Sequence, residues 1–210
     1  MRFRDRTEAG QLLVQHLGHY EGKEVVIYAL PRGGVVLGFE IAKALNAPLD
    51  LIITRKIGHP LNPEYAICAV AEDGDLICNE AERAAVDPAW FSKEVEKERA
   101  EARRRREIYL GKRKTPEVRG KIAILVDDGI ATGLTLELAI KELKHKEPAK
   151  IIVAVPVAPR DAAREIEKEV DEFVALDIPA LYLGAVGAYY DDFPQVTDEE
   201  VIEMLDRARP

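Results

Sequence analysis

Short apolar runs alternate with longer stretches of helical spacing along most of the chain. Val25-Val26-Ile27-Tyr28-Ala29-Leu30 is continuously apolar and stops at Pro31. Residues 49–54 repeat the pattern, 65–71 give a third run, and 76–78 a short fourth. Residues 122–126 and 151–155 are the strongest two, and 173–176 follow. Continuous rather than alternating apolar runs suit strands covered on both faces of a parallel sheet. Helical spacing separates them at 35–45, 134–144 and 161–169, as βαβ crossovers require. The pattern predicts an α/β chain, a Rossmann-like parallel sheet flanked by helices. A first helix opens near Asp5, with Glu8 three residues later as a capping box and Leu12, Leu13 and Leu17 on one side.

One stretch breaks the rhythm. Asp87-Pro88 is a good helix start, Asp as cap and Pro at the first helical position. Residues 89–110 then read as a highly charged helix, with Glu101 and Arg105 paired at i,i+4. Arg103-Arg104-Arg105-Arg106 is its basic run. It reads first as a solvated face, with a phosphate-facing or oligomer-facing role as the alternative. Residues 1–210 read as one domain, with 55–115 as a flap or insertion and 177–210 as a C-terminal subdomain.

Composition narrows the classes. The 210 residues carry 38 acids against 30 Lys plus Arg, a formal charge of −8, and 47% are hydrophobic. That is too apolar for disorder. A net acidic chain lacks the basic face of a general nucleic-acid binder. No run approaches the ~18 apolar residues of a membrane span, and Met1-Arg2-Phe3-Arg4-Asp5 has no secretory apolar stretch. Cys68 and Cys78 lie among apolar residues without C-x-x-C spacing. They read as buried free thiols, which points to a cytoplasmic location. No G-x-x-x-x-G-K-[ST], G-x-G-x-x-G or G-x-S-x-G occurs, which sets aside nucleotide kinases, dehydrogenases and serine hydrolases.

The sharpest signal is the run from Ile122 through Val126-Asp127-Asp128-Gly129-Ile130-Ala131-Thr132-Gly133-Leu134-Thr135. An apolar strand ends in two acids, and a small-residue turn leads into a helix. Side chains at the carboxyl end of a parallel strand face the crevice where ligands bind. Paired carboxylates there can accept hydrogen bonds from vicinal sugar hydroxyls or hold a divalent cation through water. The turn at Ala131-Thr132-Gly133 gathers backbone N–H groups at a helix start, a phosphate site strengthened by the helix dipole. Thr132 and Thr135 add hydroxyls. A sugar 5-phosphate satisfies that geometry.

Other segments support the same ligand. In Pro31-Arg32-Gly33-Gly34 the glycines admit a ligand close to backbone N–H groups and Arg32 offers a two-pronged anion fork. Arg55-Lys56 puts two cations after the second apolar run. Residues 57–66, with Gly58, Pro60 and Pro63, read as a mobile loop that carries His59. Near the C-terminus, Tyr189 and Tyr190 could stack on a planar ligand and Asp191 or Asp192 could hold a cation.

The 122–135 segment resembles the 5-phosphoribosyl-1-pyrophosphate (PRPP) motif of type I phosphoribosyltransferases. The Pro-Arg-Gly-Gly, Arg-Lys-Ile-Gly and Asp-Asp-Gly-x-Ala-Thr-Gly strings resemble an uncharacterised bacterial branch of that family. The resemblance implies the type I fold, with a small C-terminal hood over the base and a helical flap insertion. It implies transfer of a 5-phosphoribosyl group from PRPP to a nitrogen acceptor, a nucleobase, with Mg²⁺ and release of pyrophosphate. By that likeness Asp127 and Asp128 hold the diol and the cation, with Asp191 as a further metal-linked acid. Gly129, Ala131, Thr132, Gly133, Leu134 and Thr135 hold the 5-phosphate. Arg32, Gly33, Gly34, Arg55 and Lys56 hold the leaving pyrophosphate, Glu64 belongs to the loop, and Tyr189 belongs to the base site. The third acid of 6-oxopurine enzymes is absent at Ala131, and their Lys is absent from Val155-Pro156-Val157. Both absences weaken hypoxanthine or guanine as acceptor. A homodimer is common for this architecture. The alternative is a PRPP-sensing regulator that binds RNA or a protein, and Arg103 to Arg106 would serve it.

Overall fold

Asp5 opens the first helix, α1 (Arg6–Leu17): its carboxylate accepts the Glu8 N–H at 2.8 Å. The return bond of the expected capping box closes one residue early, because the Glu8 carboxylate accepts from the Arg4 N–H at 2.6 Å. The structure, a computed structural model, describes residues 1–72 and 74–208, apart from the Glu64 side chain. After α1 come β1 (Val25–Ala29), α2 (Gly33–Leu45), β2 (Leu49–Leu51), β3 (Thr54–His59), β4 (Asn62–Ala71) and β5 (Leu76–Cys78). There follow α3 (Glu80–Ala85), α4 (Pro88–Leu110), β6 (Ile122–Val126), α5 (Leu134–His145), β7 (Lys150–Val157), α6 (Arg160–Glu167), β8 (Glu172–Asp177) and α7 (Asp198–Arg207).

The main sheet has the order β2-β1-β6-β7-β8, all parallel. Its continuous apolar runs are explained by two-sided burial. Ile27, Ile124 and Ile152 pack under α1 and α2 with Leu13, Leu37 and Ile41. Their neighbours Val26, Leu125 and Val153 pack on the other face with Leu136, Ile140 and Ile166 of α5 and α6. Each such side chain stabilises the fold by roughly 1.5–3 kcal/mol on leaving water.

Two expectations change here. The run 49–54 is not one strand: β2 stops at Leu51, Ile52 and Ile53 cross the core, and β3 begins in a separate antiparallel sheet, β3-β4-β5. Residues 57–66, read from sequence as a loop, pair as a β3–β4 hairpin whose register shifts fall on either side of Gly58. Its glycine and prolines sit at those irregularities and at the turn. Cys68 and Cys78 oppose each other across β4 and β5 and form a disulfide, so they are not free thiols. The thiol-based reason for a cytoplasmic location falls with that pairing. No helix among the described residues is long and apolar enough to cross a membrane.

The small sheet and α4 stand beside the carboxyl edge of the main sheet. Ile57, Ile67 and Val70 pack on Phe91 and Val95 of α4. Further along α4, Ala102, Tyr109 and Leu110 meet Val201 and Leu205 of α7. Beyond β8 the chain loops back so that Phe3 bridges to Tyr190.

Candidate active site

The site begins where β6 runs out. The Asp127 carboxylate accepts the Asp128 N–H at 2.8 Å, and Asp128 Oδ2 accepts from Arg6 Nε at 2.7 Å. Arg6 also donates to the Pro194 carbonyl at 2.7 Å and lies 3.6 Å over the Phe193 ring. The Tyr190 hydroxyl donates to the Asp128 carbonyl at 2.7 Å. Burial and the neighbouring Asp128 charge push the Asp127 carboxyl well above the usual range. Burial pushes Asp128 up too, and Arg6 opposes it.

Gly33 lets α2 start against this pair. A Cβ there would lie 1.9 Å from Asp128 Oδ2, so only glycine fits without displacing the carboxylate. The Pro31–Arg32 peptide that precedes it is cis. On the other side, Gly133 takes φ 88° and no side chain caps α5. The first N–H groups of α5 therefore have no side-chain cap, and Thr132, Gly133 and Thr135 line the crevice at that helix start.

From the small sheet come Arg55 and Lys56. Arg55 Nε donates to the buried Glu98 carboxylate of α4 at 2.8 Å, while Lys56 is exposed toward the crevice. Arg32 approaches Asp198 of α7 at 3.6 Å, and Asp198 also accepts the Tyr109 hydroxyl at 2.6 Å. These groups surround one crevice of about 1180 Å³. Among its described lining residues, six Lys and Arg outnumber four carboxylates, in a chain whose net charge is −8. Such a lining focuses anions.

Arg32, Gly33, Arg55, Lys56, Asp127, Asp128, Gly129, Ala131, Thr132, Gly133 and Thr135 all line this crevice. Gly34 and Leu134 support it from behind. Gly34 sits against the Val126 carbonyl, and Leu134 packs with Ala69, Ala71 and Leu138. Tyr189 is not brought to the crevice: it is buried, stacks on Tyr182 at 5.4 Å and accepts the Leu183 N–H at 2.9 Å. Asp191 is not brought there either; it is exposed and paired with Arg2. The Glu64 side chain lies outside the described residues.

Sequence reasoning missed Arg6 and the α4 wall. The spacing of Trp90, Glu94, Lys97, Glu98 and Arg105 was the available signal, since these positions share one helix face. In the basic run, Arg105 alone lines the crevice. Arg103 donates to the Glu72 carbonyl, Arg104 and Arg105 pair with Glu101, and Arg106 pairs with Glu72.

Paired acids at a strand end, an uncapped helix start and a ring of cations meet in one crevice of an α/β fold. The family model of the phosphoribosyl transferase domain matches residues 6–191. Proteins of two Mycobacterium tuberculosis strains, provisionally named phosphoribosyl transferases, are 41% identical over 208 residues. That match covers 98% of this chain and 47% of theirs, so the chain spans about half the length of these curated relatives. The solved structure of TT1426 from Thermus thermophilus is 40% identical, with a TM-score of 0.80 over 100% of both chains. A uracil phosphoribosyltransferase of Aquifex aeolicus is 35% identical over 71 residues, 32% of this chain and 34% of that one. The chain belongs to the phosphoribosyl transferase family.

Proposed function

We propose that this crevice binds PRPP with Mg²⁺ and transfers its 5-phosphoribosyl group to a nitrogen acceptor, a nucleobase. The observation that carries the reading is the Asp127–Asp128 pair next to the uncapped start of α5. One arm suits a ribose diol and the other suits its 5-phosphate. The C1–O bond to pyrophosphate breaks and pyrophosphate leaves with the electron pair. The acceptor nitrogen forms the new bond to C1 and releases its proton to water. Charge builds on the departing oxygens, so fixed cations do most of the catalytic work. Lys56, Arg55 and Arg32 are the side chains that would stabilise them, and the Gly33 backbone admits the ligand close to the acids.

The donor set fits a divalent cation, because two adjacent, largely buried carboxylates repel each other and Arg6 contacts one of them. Asp127 and Asp128 would hold Mg²⁺, which when bound supplies positive charge to the ribose hydroxyls and the leaving pyrophosphate. A regulator that binds RNA or a protein finds no support among the relatives, which are named phosphoribosyl transferases.

Calorimetric titration of Mg²⁺–PRPP tests the reading. Saturable binding that Asp128→Asn abolishes, followed by pyrophosphate release with some base, is the expected result. A folded native protein that binds no PRPP would overturn it.

A further inference from the structure

The crevice has an aromatic surface that the acid pair and phosphate turn do not use. Among the described residues its aromatic side chains are Phe193, Trp90 and the imidazole of His59, whose Nδ1 accepts the Leu61 N–H at 3.1 Å. Phe193 is committed: Arg6 lies 3.6 Å over it and Tyr190 packs at 4.8 Å. The hood tyrosines are committed as well. Tyr182 and Tyr189 stack on each other, and Tyr190 also packs on Phe3. Trp90 differs. It rests on the Ile57–Phe91–Val95 cluster and stays partly exposed. Among the described residues it makes no ring or cation contact, and its indole N–H has no hydrogen-bond partner. One turn along the same face, Glu94 and Lys97 neutralise each other at 2.6 Å. The wall beside Trp90 therefore offers flat apolar area without a net charge.

We propose that Trp90 is the platform on which the acceptor lies, and that the acceptor is an uncharged planar nitrogen heteroaromatic of nucleobase type. It stacks on the indole between α4 and the β3–β4 turn, not on a ring of the C-terminal hood. This rests on the phosphoribosyl-transfer reading above. Aromatic stacking suits the task, since every base has a π-face and a rigid indole loses little freedom on binding.

Trp90 is the chain's one tryptophan, so native fluorescence reports on its stacking. AMP, GMP, IMP, UMP and CMP are titrated with Mg²⁺, with ribose 5-phosphate as the ring-free probe. At least one nucleotide should quench saturably, while ribose 5-phosphate competes without quenching. Read by calorimetry, since the Trp90 variants retain no tryptophan, Trp90→Ala should weaken that nucleotide ~10- to 100-fold. Trp90→Phe should restore most of the affinity, and both variants should bind Mg²⁺–PRPP as the native protein does. Overturning results are quenching by none of the five, or a quenching nucleotide that binds Trp90→Ala undiminished. If PRPP still binds in an Asp128-dependent way, either result sinks this inference alone; absence of PRPP binding sinks the functional reading with it.

Discussion

Replacing Arg6 with Met keeps the apolar stem and removes the guanidinium. Three interactions go at once: the 2.7 Å bond to Asp128, the 2.7 Å bond to the Pro194 carbonyl, and the stack 3.6 Å over Phe193. A hydrogen bond to a charged group contributes about 1.5–3 kcal/mol, and a desolvated cation–π contact contributes up to about 2 kcal/mol. The two side chains are only 10% and 16% exposed, so water screens them weakly. The larger effect is what stays behind, an Asp128 carboxylate beside Asp127 with its cation gone. Breaking a buried pair in this way costs about 3–5 kcal/mol, and the three contacts overlap within that figure rather than adding to it.

For a chain of this size each kcal/mol moves the melting midpoint by about 2–4 °C, so Arg6→Met should melt roughly 10 °C lower. Urea unfolding of Arg6→Met, Asp128→Asn and the double variant separates charge pairing from packing. Asp128→Asn alone should cost less, because it also relieves Asp127 of a neighbouring charge. The double variant should fall short of the sum by at least about 1.5 kcal/mol. Additive losses, or an Arg6→Met loss under about 1 kcal/mol, would refute the pairing as the reason Arg6 is buried there.

Gly33→Ala should lose about 1–3 kcal/mol of stability and most Mg²⁺–PRPP affinity, since its Cβ would sit 1.9 Å from Asp128 Oδ2; undiminished binding by calorimetry would contradict the close approach. Glu101 is held at a pKa of about 2, chiefly by its hydrogen bond from Arg104 and also by Arg105, against an ordinary value of 4.5. Its contribution is complete above pH 4.5 and disappears as pH falls through about 2, and solvent screening limits it to about 1 kcal/mol. Glu101→Gln should therefore be about 1 kcal/mol less stable than the native chain at pH 7 and equal to it near pH 2; a gap that persists in acid would point to packing instead. Lys56→Ala should weaken Mg²⁺–PRPP at least ~10-fold, the loss of one charged hydrogen bond, while the urea midpoint stays put; a shifted midpoint would mean that Lys56 is structural.

The parallel sheet was legible because two-sided burial leaves a plain mark: along β6, Ile124 and Leu125 point to opposite clusters and both are apolar. The same mark misleads at β4. Cys68 and Val70 face α4, Ala69 and Ala71 face α5, and an antiparallel strand covered on both sides reads like a parallel one. The placement of the acid pair and the small-residue turn at one crevice was legible because their geometry is local to a strand end and a helix start. Arg6 was not, since its partner lies 122 residues away and nothing local in its helix asks for an anion. Tyr189 was placed on the ligand because an aromatic pair in a C-terminal loop looks available. In the folded chain it packs on Tyr182, and the two rings cover each other. The α4 wall depends on how that helix docks against the small sheet, which its largely charged sequence does not state.

The crevice cations also differ in how they are held. Arg6 has Asp128, Arg32 has Asp198, Arg55 has Glu98, Lys97 has Glu94 and Arg105 has Glu101. Lys56 has no carboxylate within ion-pair distance among the described residues. An arginine that already donates to one acid keeps further N–H groups for a ligand and is fixed in place beforehand, so it loses less entropy when an anion arrives. A lysine outside ion-pair distance of an acid keeps its three N–H donors for the ligand. An acidic chain can in this way present a positive crevice without long-range repulsion among its cations: the buttressed arginines set the shape, and Lys56, which has no ion-pair partner among the described residues, adds charge beside Asp127 and Asp128.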